Sequence, residues 1–171
     1  MSGERLPPPP VDELDQATAE LLDLTASPDG TPLLTIAVLA NHPPLVGPFL
    51  GWAAALALQG ALSTRDHELL ALRTAWLCGS DFEWDEHVRY AQAAGLSSDE
   101  IERVRDGPDA GWDGRERSLL QAADELHHRQ AITDATWSAL AAHHNRAALV
   151  EVLYVVGQYT MLSMVANAIK G

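Results

Sequence analysis

The chain has 171 residues, of which 47% are hydrophobic and 20% are charged, and it carries 24 acidic residues against 11 basic ones. The net charge of −13 argues against nucleic acid and anionic membranes as partners, because both repel an acidic protein. A single cysteine excludes an internal disulfide, and the sequence shows no signal-peptide pattern and no uninterrupted apolar run of transmembrane length, so we expect a cytoplasmic protein.

The hydrophobic pattern predicts an all-α protein with no strand-like alternation, no nucleotide-binding glycine loop and no sequence repeat. An extended arm with four consecutive prolines, residues 1–10, is expected to precede a single helical domain over residues 11–171. A turn is predicted at residues 27–30. Helices are predicted over residues 11–26, 33–40, 45–59, 63–77, 80–94, 97–106, 113–128, 133–142 and 147–169.

Two of these helices carry more apolar surface than one small core requires. The helix over residues 45–59 has very few polar positions, which predicts burial in the core or in a subunit interface. The last helix, 147–169, is long and apolar, and the polar pair Gln158 and Tyr159 interrupts it at mid-height. Buried polar side chains need partners, so Tyr159 is a candidate to face a binding pocket. We expect the protein to associate with itself as a homo-oligomer.

The rest of the chain is organised around residues 63–94, read as a hairpin of two helices that meet at a tight junction. The apolar positions of the first helix are too dense for one narrow stripe, so this helix is predicted to be buried on most sides. It carries Glu68. The second helix opens at Ser80, and Glu83 and His87 lie on one of its faces because they are four residues apart. An acid, an imidazole and a hydroxyl are thus expected to converge beside a buried helix.

Two simpler interpretations account for the same residues. Ser80 and Glu83 fit the pattern of a capping box, in which serine and glutamate satisfy the first free N–H groups of a helix. Glu83 and His87 also fit a solvated pair that stabilises the helix by a few tenths of a kcal/mol. Spacing by itself does not separate either interpretation from a catalytic site.

The chain resembles the carboxymuconolactone decarboxylase family, which includes the AhpD-type alkylhydroperoxidases, over roughly residues 33–168, and three segments carry the resemblance. The segments read RDHELLALRTAWLCGSDFEWDEHVRYAQAAGLSSDEIE, GWDGRERSLLQAADELH and GQYTMLSMVANA. The resemblance implies a compact multi-helix, AhpD-like fold with a central helical hairpin, assembled into homo-oligomers. It also implies that the family's glutamate and histidine fall at Glu68 and His87, and that the two cysteine positions of the peroxidase branch fall at Ser80 and Glu83.

Reduction of a peroxide by a dithiol needs a resolving thiol, and the only cysteine, Cys78, has no partner cysteine in the sequence. The sequence therefore predicts that the protein is not a thiol peroxidase. The resemblance implies the thiol-free, decarboxylase-like branch instead: a lyase that acts without a cofactor on a small carboxylated lactone or keto compound.

The predicted mechanism is acid–base chemistry. Loss of CO₂ leaves an enolate-like anion that must be stabilised and then protonated on carbon. His87 is the first candidate for proton donor, since histidine titrates near neutral pH, and Glu83 is expected to orient it or exchange its proton. Glu68 is a candidate second acid. N–H groups near Ser80 are candidates to hold a substrate carboxylate or an oxyanion; the other candidates for substrate contact are Trp84, Tyr90, His42 and Tyr159.

Other readings of the sequence remain open. The same Glu/His pair suits an isomerase, cyclase or dehydratase, and a helical oligomer without catalysis would serve as a binding protein. The two His-His pairs, at residues 127–128 and 143–144, do not have metal-ligand spacing, so no metal site and no cofactor are predicted. Arg73 is expected to pair with an internal acid such as Glu68.

Overall fold

The structure, a computed structural model, describes residues 5–26 and 30–170. Within these residues the secondary structure is helical and contains no strand, which confirms the all-α prediction. Short 3-10 turns lie at Val11–Glu13 and Pro43–Leu45. The α-helices are α1 Gln16–Asp23, α2 Leu34–Leu39, α3 Val46–Leu58, α4 Thr64–Leu77, α5 Asp81–Ala93, α6 Ser98–Val104, α7 Gly114–Arg129, α8 Asp134–Ala141 and α9 Arg146–Ile169.

The predicted helix over residues 11–26 begins later than expected. Asp15 is the N-cap of α1, and its carboxylate accepts the backbone N–H of Thr18 at 2.9 Å. An aspartate used in this way holds its own backbone in an extended conformation, so the residues before it cannot continue the same helix. The turn predicted at 27–30 falls largely on residues 27–29, outside the described part of the chain.

The described part of the proline-rich arm, residues 5–10, is not helical. The N–H of Arg5 donates to the carbonyl of Ile169 at 2.9 Å, and the carbonyl of Pro7 accepts from the side chain of Asn41 at 3.0 Å. Residues 1–4 of the arm lie outside the described residues.

The chain divides into two compact units. One consists of residues 1–58 and 165–171, and its core is formed by Leu22, Ile36, Ala40 and Val46. The other consists of residues 59–164 and contains the predicted central hairpin. A single domain over 11–171 stays a prediction.

The second unit is built on α4, which packs against both α5 and α7. Ten consecutive residues of α4, from Asp66 to Ala75, are buried, so this helix has no solvent-facing side along that length. This confirms the prediction of a helix buried on most sides, although Trp76 near its end is 44% exposed. The core cluster around it consists of Leu69, Leu72, Ala75, Trp84, Ala91, Leu96, Ile101, Val104, Trp112 and Leu120.

The two apolar helices, α3 and α9, leave several large apolar side chains exposed, so the core does not bury them completely. α3 buries Val46 and Leu56 and leaves Trp52 and Leu58 exposed. α9 is 24 residues long and, within the described residues, is the one helix long and apolar enough to cross a membrane. The sequence-based expectation of no apolar run of transmembrane length therefore does not hold for α9. Length and hydropathy alone do not separate a membrane span from a core helix, and 44% of the most apolar stretch of α9 is buried within the chain.

Candidate active site

The junction between α4 and α5 places Ser80 at the start of α5. Gly79 has a φ of 60°, a left-handed conformation that glycine adopts without strain and that reverses the chain. Ser80 is the N-cap of α5, and its Oγ accepts the backbone N–H of Glu83 at 3.4 Å. The N–H of Ser80 donates to the carbonyl of Ala75 at 3.0 Å rather than to the carboxyl of Glu83. The capping interpretation is therefore right for Ser80, while the Glu83 side chain is not used in the cap.

His87 is held by a carboxylate from the neighbouring helix. Its Nδ1 lies 2.7 Å from Oε2 of Glu68, and the two residues are only 8% and 6% exposed. The solvated-pair interpretation of Glu83 and His87 is therefore wrong, because both side chains are buried. The expectation that Glu83 orients the imidazole is also wrong, since Glu68 makes that contact. With Nδ1 committed to Glu68, Nε2 is the ring nitrogen that remains for a substrate.

Glu83 is a buried carboxyl with an unsatisfied oxygen. It is 3% exposed, and its Oε1 has no hydrogen-bond partner among the described residues. Burial raises the pKa of Glu83 from 4.5 to about 7; the nearby His87 opposes this shift, and the charge of Glu86 adds to it. A carboxyl with this pKa exists in both protonation states near neutral pH, so it can donate or accept a proton.

A tyrosine from α9 and a second histidine complete the cluster. Tyr159 is 5% exposed, its hydroxyl lies 2.8 Å from Nε2 of His67, and its ring packs edge-on against His87 with the centroids 4.4 Å apart. Burial lowers the pKa of His67 and raises that of Tyr159, and the charges of Glu68 and Glu83 raise the pKa of Tyr159 further. Both side chains are thus held neutral at ordinary pH.

The remaining candidate residues take different places. Trp84 is a core residue, 6% exposed, stacked edge-on against Trp76 with the guanidinium of Arg105 over its ring. Tyr90 is 47% exposed, with its ring centroid 5.5 Å from that of His87, so it lies at the rim of the cluster. His42 is an exposed residue of the other unit, and its contact with substrate stays a prediction.

Arg73 is buried and pairs with an acid of the chain, as expected, but that acid is Asp124 and not Glu68. Its guanidinium makes a two-point contact with Asp124 of α7, at 2.6 and 2.9 Å, and donates to the carbonyls of Val104 and Arg105 at 2.9 Å each. Glu68 is thereby left to His87. Glu68 and Arg73 have different partners because they lie on different faces of α4: Glu68 faces α5 and Arg73 faces α7.

A surface groove lies away from this cluster. It has a volume of about 480 Å³ between α7 and α8 and is lined by Gly114, Arg117, Ser118, Gln121, Glu125, Thr133, Ala135, Thr136, Ala139 and His143. None of these residues carries a strongly shifted, buried acid–base group, so we assign the chemistry to the buried cluster and not to the groove. Within residues 5–26 and 30–170, no three His, Cys, Asp or Glu side chains are grouped as metal ligands would be.

His67 is the member of the cluster that the sequence reasoning missed. The available signal was its position directly before Glu68 in a helix predicted to be buried on most sides, where two adjacent polar residues must both find internal partners. The pairing with Tyr159 depends on how α9 packs on α4, which residue spacing within one helix does not specify.

The model of the carboxymuconolactone decarboxylase family matches residues 48–125. This stretch runs from α3 into α7 and includes Glu68, Ser80, Glu83 and His87, and over it the chain is similar to this family of AhpD-like proteins. The match is shorter than the span of the three resembling segments and does not include Tyr159. No curated protein matches the sequence.

Solved structures share the fold at low sequence identity. An uncharacterized peroxidase-related protein from Ralstonia eutropha JMP134 has a TM-score of 0.84 at 18% identity, covering 97% of this chain and 90% of its own. One from Silicibacter sp. TM1040 has a TM-score of 0.84 at 17% identity, covering 99% and 92%. The debrominase Bmp8 has a TM-score of 0.81 at 14% identity, covering 98% and 90%. These similarities confirm the AhpD-like fold.

Proposed function

We propose that the protein is a cofactor-independent acid–base enzyme that moves a proton at the carbon beside a carbonyl group of a small molecule. The observation that carries the proposal is the buried pair of His87 and Glu68, with the buried, unsatisfied carboxyl of Glu83 one helical turn from the histidine. Perturbed, buried acid–base groups of this kind are costly for folding and cluster at functional sites.

Each residue has a distinct role in this proposal. Glu68 accepts from Nδ1 of His87, which fixes the tautomer and leaves Nε2 to take a proton from carbon or return it. Glu83 in its neutral form donates to the carbonyl oxygen as negative charge develops there. Tyr159 packs against the imidazole and restricts its ring orientation. Glu68 and Tyr159 are positioning residues, while His87 and Glu83 exchange protons with the substrate.

Decarboxylation, the reaction in the family name, and isomerisation share the same enolate-like intermediate and the same protonation of carbon. A lyase or isomerase, or a cyclase or dehydratase built on the same step, therefore suits the cluster. The debrominase that shares the fold is also crystallised, as a cysteine-to-alanine variant, with 2,3,4-tribromopyrrole. That likeness supports a small-molecule ligand here, but bromide removal is not part of the proposal.

The non-catalytic alternative expects Glu83 and His87 to lie in solvent, with no cavity beside them. Their burial argues against it, since a binding protein that only uses its surface gains nothing from an unsatisfied internal carboxyl. A location in the cytoplasm remains part of the proposal.

The test is proton exchange catalysed by the full-length protein. A panel of small ketones, lactones and keto acids is incubated in D₂O, and α-proton exchange and CO₂ release are followed by NMR. His87→Ala should lower the rate by about a hundredfold or more while the protein stays folded. His128→Ala, which removes an exposed histidine of α7, is the matched control and should keep the full rate. Equal rates for His87→Ala and wild type, or no exchange in the whole panel, would refute the proposal.

A further inference from the structure

From the charges around the cluster, and resting on the proposed function, we infer that its substrate is an uncharged carbonyl compound and not a carboxylate. Two buried carboxyls, Glu68 and Glu83, flank the imidazole, and no arginine or lysine of the described residues pairs with either of them. A substrate carboxylate would add a third negative charge beside His87, and the imidazole of His87 is already paired with Glu68.

Seven of the nine arginines of the second unit have carboxylate partners in the chain; the other two, Arg129 and Arg146, are exposed at the C-terminal end of α7 and the N-terminal end of α9. Arg73 is bound by Asp124, Arg115 by Asp66, and Arg65 by both Glu100 and Glu116. The other four arginines with carboxylate partners are Arg89, Arg103, Arg105 and Arg117. The single lysine of the sequence, Lys170, belongs to the other unit. A binding site for a carboxylate usually contains an arginine in two-point contact, and Arg73, the buried arginine of α4, makes that contact with Asp124.

At the start of α5, two of the N–H groups that could bind an anion are already used within the chain. The N–H of Ser80 is used by Ala75, and that of Glu83 is used by Ser80 Oγ. Two acids, Asp81 and Glu83, already occupy the first turn, where the helix dipole favours a negative group. The expectation that N–H groups near Ser80 hold a substrate carboxylate is therefore wrong for two of those groups.

The electrostatic potential at the Tyr159 hydroxyl is made negative by Glu68 and Glu83, which disfavours an anion there. The carboxylates of Glu68 and Glu83 both oppose ionisation of Tyr159, so a negative charge is disfavoured where its hydroxyl lies. His67 is kept neutral by burial and offers no countercharge. A neutral carbonyl oxygen meets no such penalty, because protonated Glu83 donates a hydrogen bond to it.

An uncharged substrate has no carboxylate to lose, which excludes decarboxylation, and isomerisation is the simplest of the remaining reactions that share the enolate. The proton on the α-carbon moves to Nε2 of His87, the electron pair of that C–H bond becomes a carbon–carbon double bond, and the carbonyl oxygen takes the proton of Glu83. When the substrate is a β,γ-unsaturated carbonyl compound, the enol formed is a dienol; His87 then returns its proton to the γ-carbon, the double bond moves to the α,β-position, and the enol proton goes back to Glu83. The product is an isomer, with no oxidation and no group lost.

The experiment compares two ligands with one keto skeleton, neutral methyl levulinate and the levulinate anion. Full-length protein labelled with ¹⁵N and ¹³C in histidine is titrated with each at about pH 7, where levulinate is ionised and Glu83 is present in both protonation states. The His87 ring signals are assigned with His87→Ala. Methyl levulinate should shift these signals in a saturable way, and levulinate should bind at least about tenfold more weakly, as expected for like charges at close range.

Two variants make the result specific. Glu83→Gln removes one buried negative charge and should tighten levulinate binding severalfold, whereas Asp85→Asn removes an exposed charge of the same helix and should not. Levulinate binding as tight as that of the ester, or no saturable shift with either ligand, would overturn the inference. The proposed function fails separately, if His87→Ala keeps the wild-type exchange rate.

Discussion

At Glu83, two neighbouring influences act on one carboxyl in opposite directions. Burial favours its neutral form, and the nearby imidazole of His87 favours its charged form; burial is the larger effect and brings the pKa from 4.5 to about 7. Between about pH 4.5 and 7, Glu83 is therefore protonated in the folded protein but ionised in the unfolded chain. The stability that comes from Glu83 is full below about pH 4.5 and is lost as the pH rises through about 7.

We expect Glu83→Gln to remove this pH dependence, since glutamine has nearly the same shape and does not ionise. At pH 5 the variant and wild type should unfold at similar urea concentrations. At pH 8 the variant should be more stable, by on the order of 3 kcal/mol if the full shift is realised. The measurement is the difference between the two free energies of unfolding at each pH, which cancels the titration of groups common to both proteins.

Asp85→Asn is the control for this comparison, because it removes a charge from an exposed position of the same helix. Its stability relative to wild type should stay nearly constant over the same pH range. A Glu83→Gln variant whose advantage does not grow with pH would show that the carboxyl is solvated and ionised in the folded protein.

Cys78 is the residue on which any thiol chemistry would depend. Its Sγ lies 3.7 Å from Nδ1 of His127, and burial raises the pKa of the thiol and lowers that of this histidine. Both shifts favour the neutral pair and leave little thiolate, which is the reactive form. We expect no dithiol-dependent turnover of an alkyl hydroperoxide, and slow alkylation by iodoacetamide at neutral pH. Peroxide turnover that Cys78→Ala abolishes would contradict this.

Among the helices, the contact of Arg73 with Asp124 ties α4 to α7 and to the end of α6. Arg73→Met should lower the free energy of unfolding by about 3–5 kcal/mol, because it leaves a carboxylate without its countercharge. The exposed pair of Arg117 and Asp109 provides the control: Arg117→Met should cost about 1 kcal/mol or less.

Urea unfolding of both arginine variants tests this. Adding Asp124→Leu to Arg73→Met should recover part of the loss, since the unpaired charge is then removed as well. An Arg73→Met variant no less stable than Arg117→Met would mean that the contact contributes little.

For the whole molecule, the exposed side of α9 predicts self-association. Val150, Leu153, Tyr154, Met161 and Met164 are between 38% and 65% exposed, and their spacing of three, four and seven residues puts them on one stripe. Light scattering at micromolar concentration should give a mass of at least twice 18.4 kDa. Met161→Asp should reduce it to the monomer value, and Leu24→Asp, at an exposed apolar position outside α9, should not. A wild-type mass of 18.4 kDa would refute the prediction.

Helix positions could be predicted from the sequence because caps and apolar periodicity are local properties. Ser63, Ser80 and Thr133 begin helices α4, α5 and α8 where the pattern indicated. The candidate site could be predicted only in part. Glu83 and His87 share one helix, so their proximity follows from spacing, but the pairing of Glu68 with His87 depends on how α4 and α5 are packed.

The capping pattern shows the same limit at closer range. Ser97 and Glu100 form the full reciprocal capping box, while Ser80 and Glu83, with identical spacing, form half of one. What differs is burial: Glu100 reaches solvent and also binds Arg65, whereas Glu83 is enclosed by the core. Identical local sequence signals thus led to different side-chain roles because tertiary packing decided where each carboxyl lies.

The stack of Trp76, Trp84 and Arg105 has an optical consequence. The centroids of the two indole rings are 5.9 Å apart, and the guanidinium lies 4.9 Å from the centroid of Trp76 and 4.5 Å from that of Trp84. Trp84 directly follows Glu83 in α5. Indoles this close couple their electronic transitions, so the pair should give a near-ultraviolet circular dichroism band that Trp76→Phe removes. Because the buried indole is attached to the helix turn that carries Glu83, ionisation of that carboxyl should alter its emission. Proton release from the cluster can therefore be followed by light in the unlabelled protein.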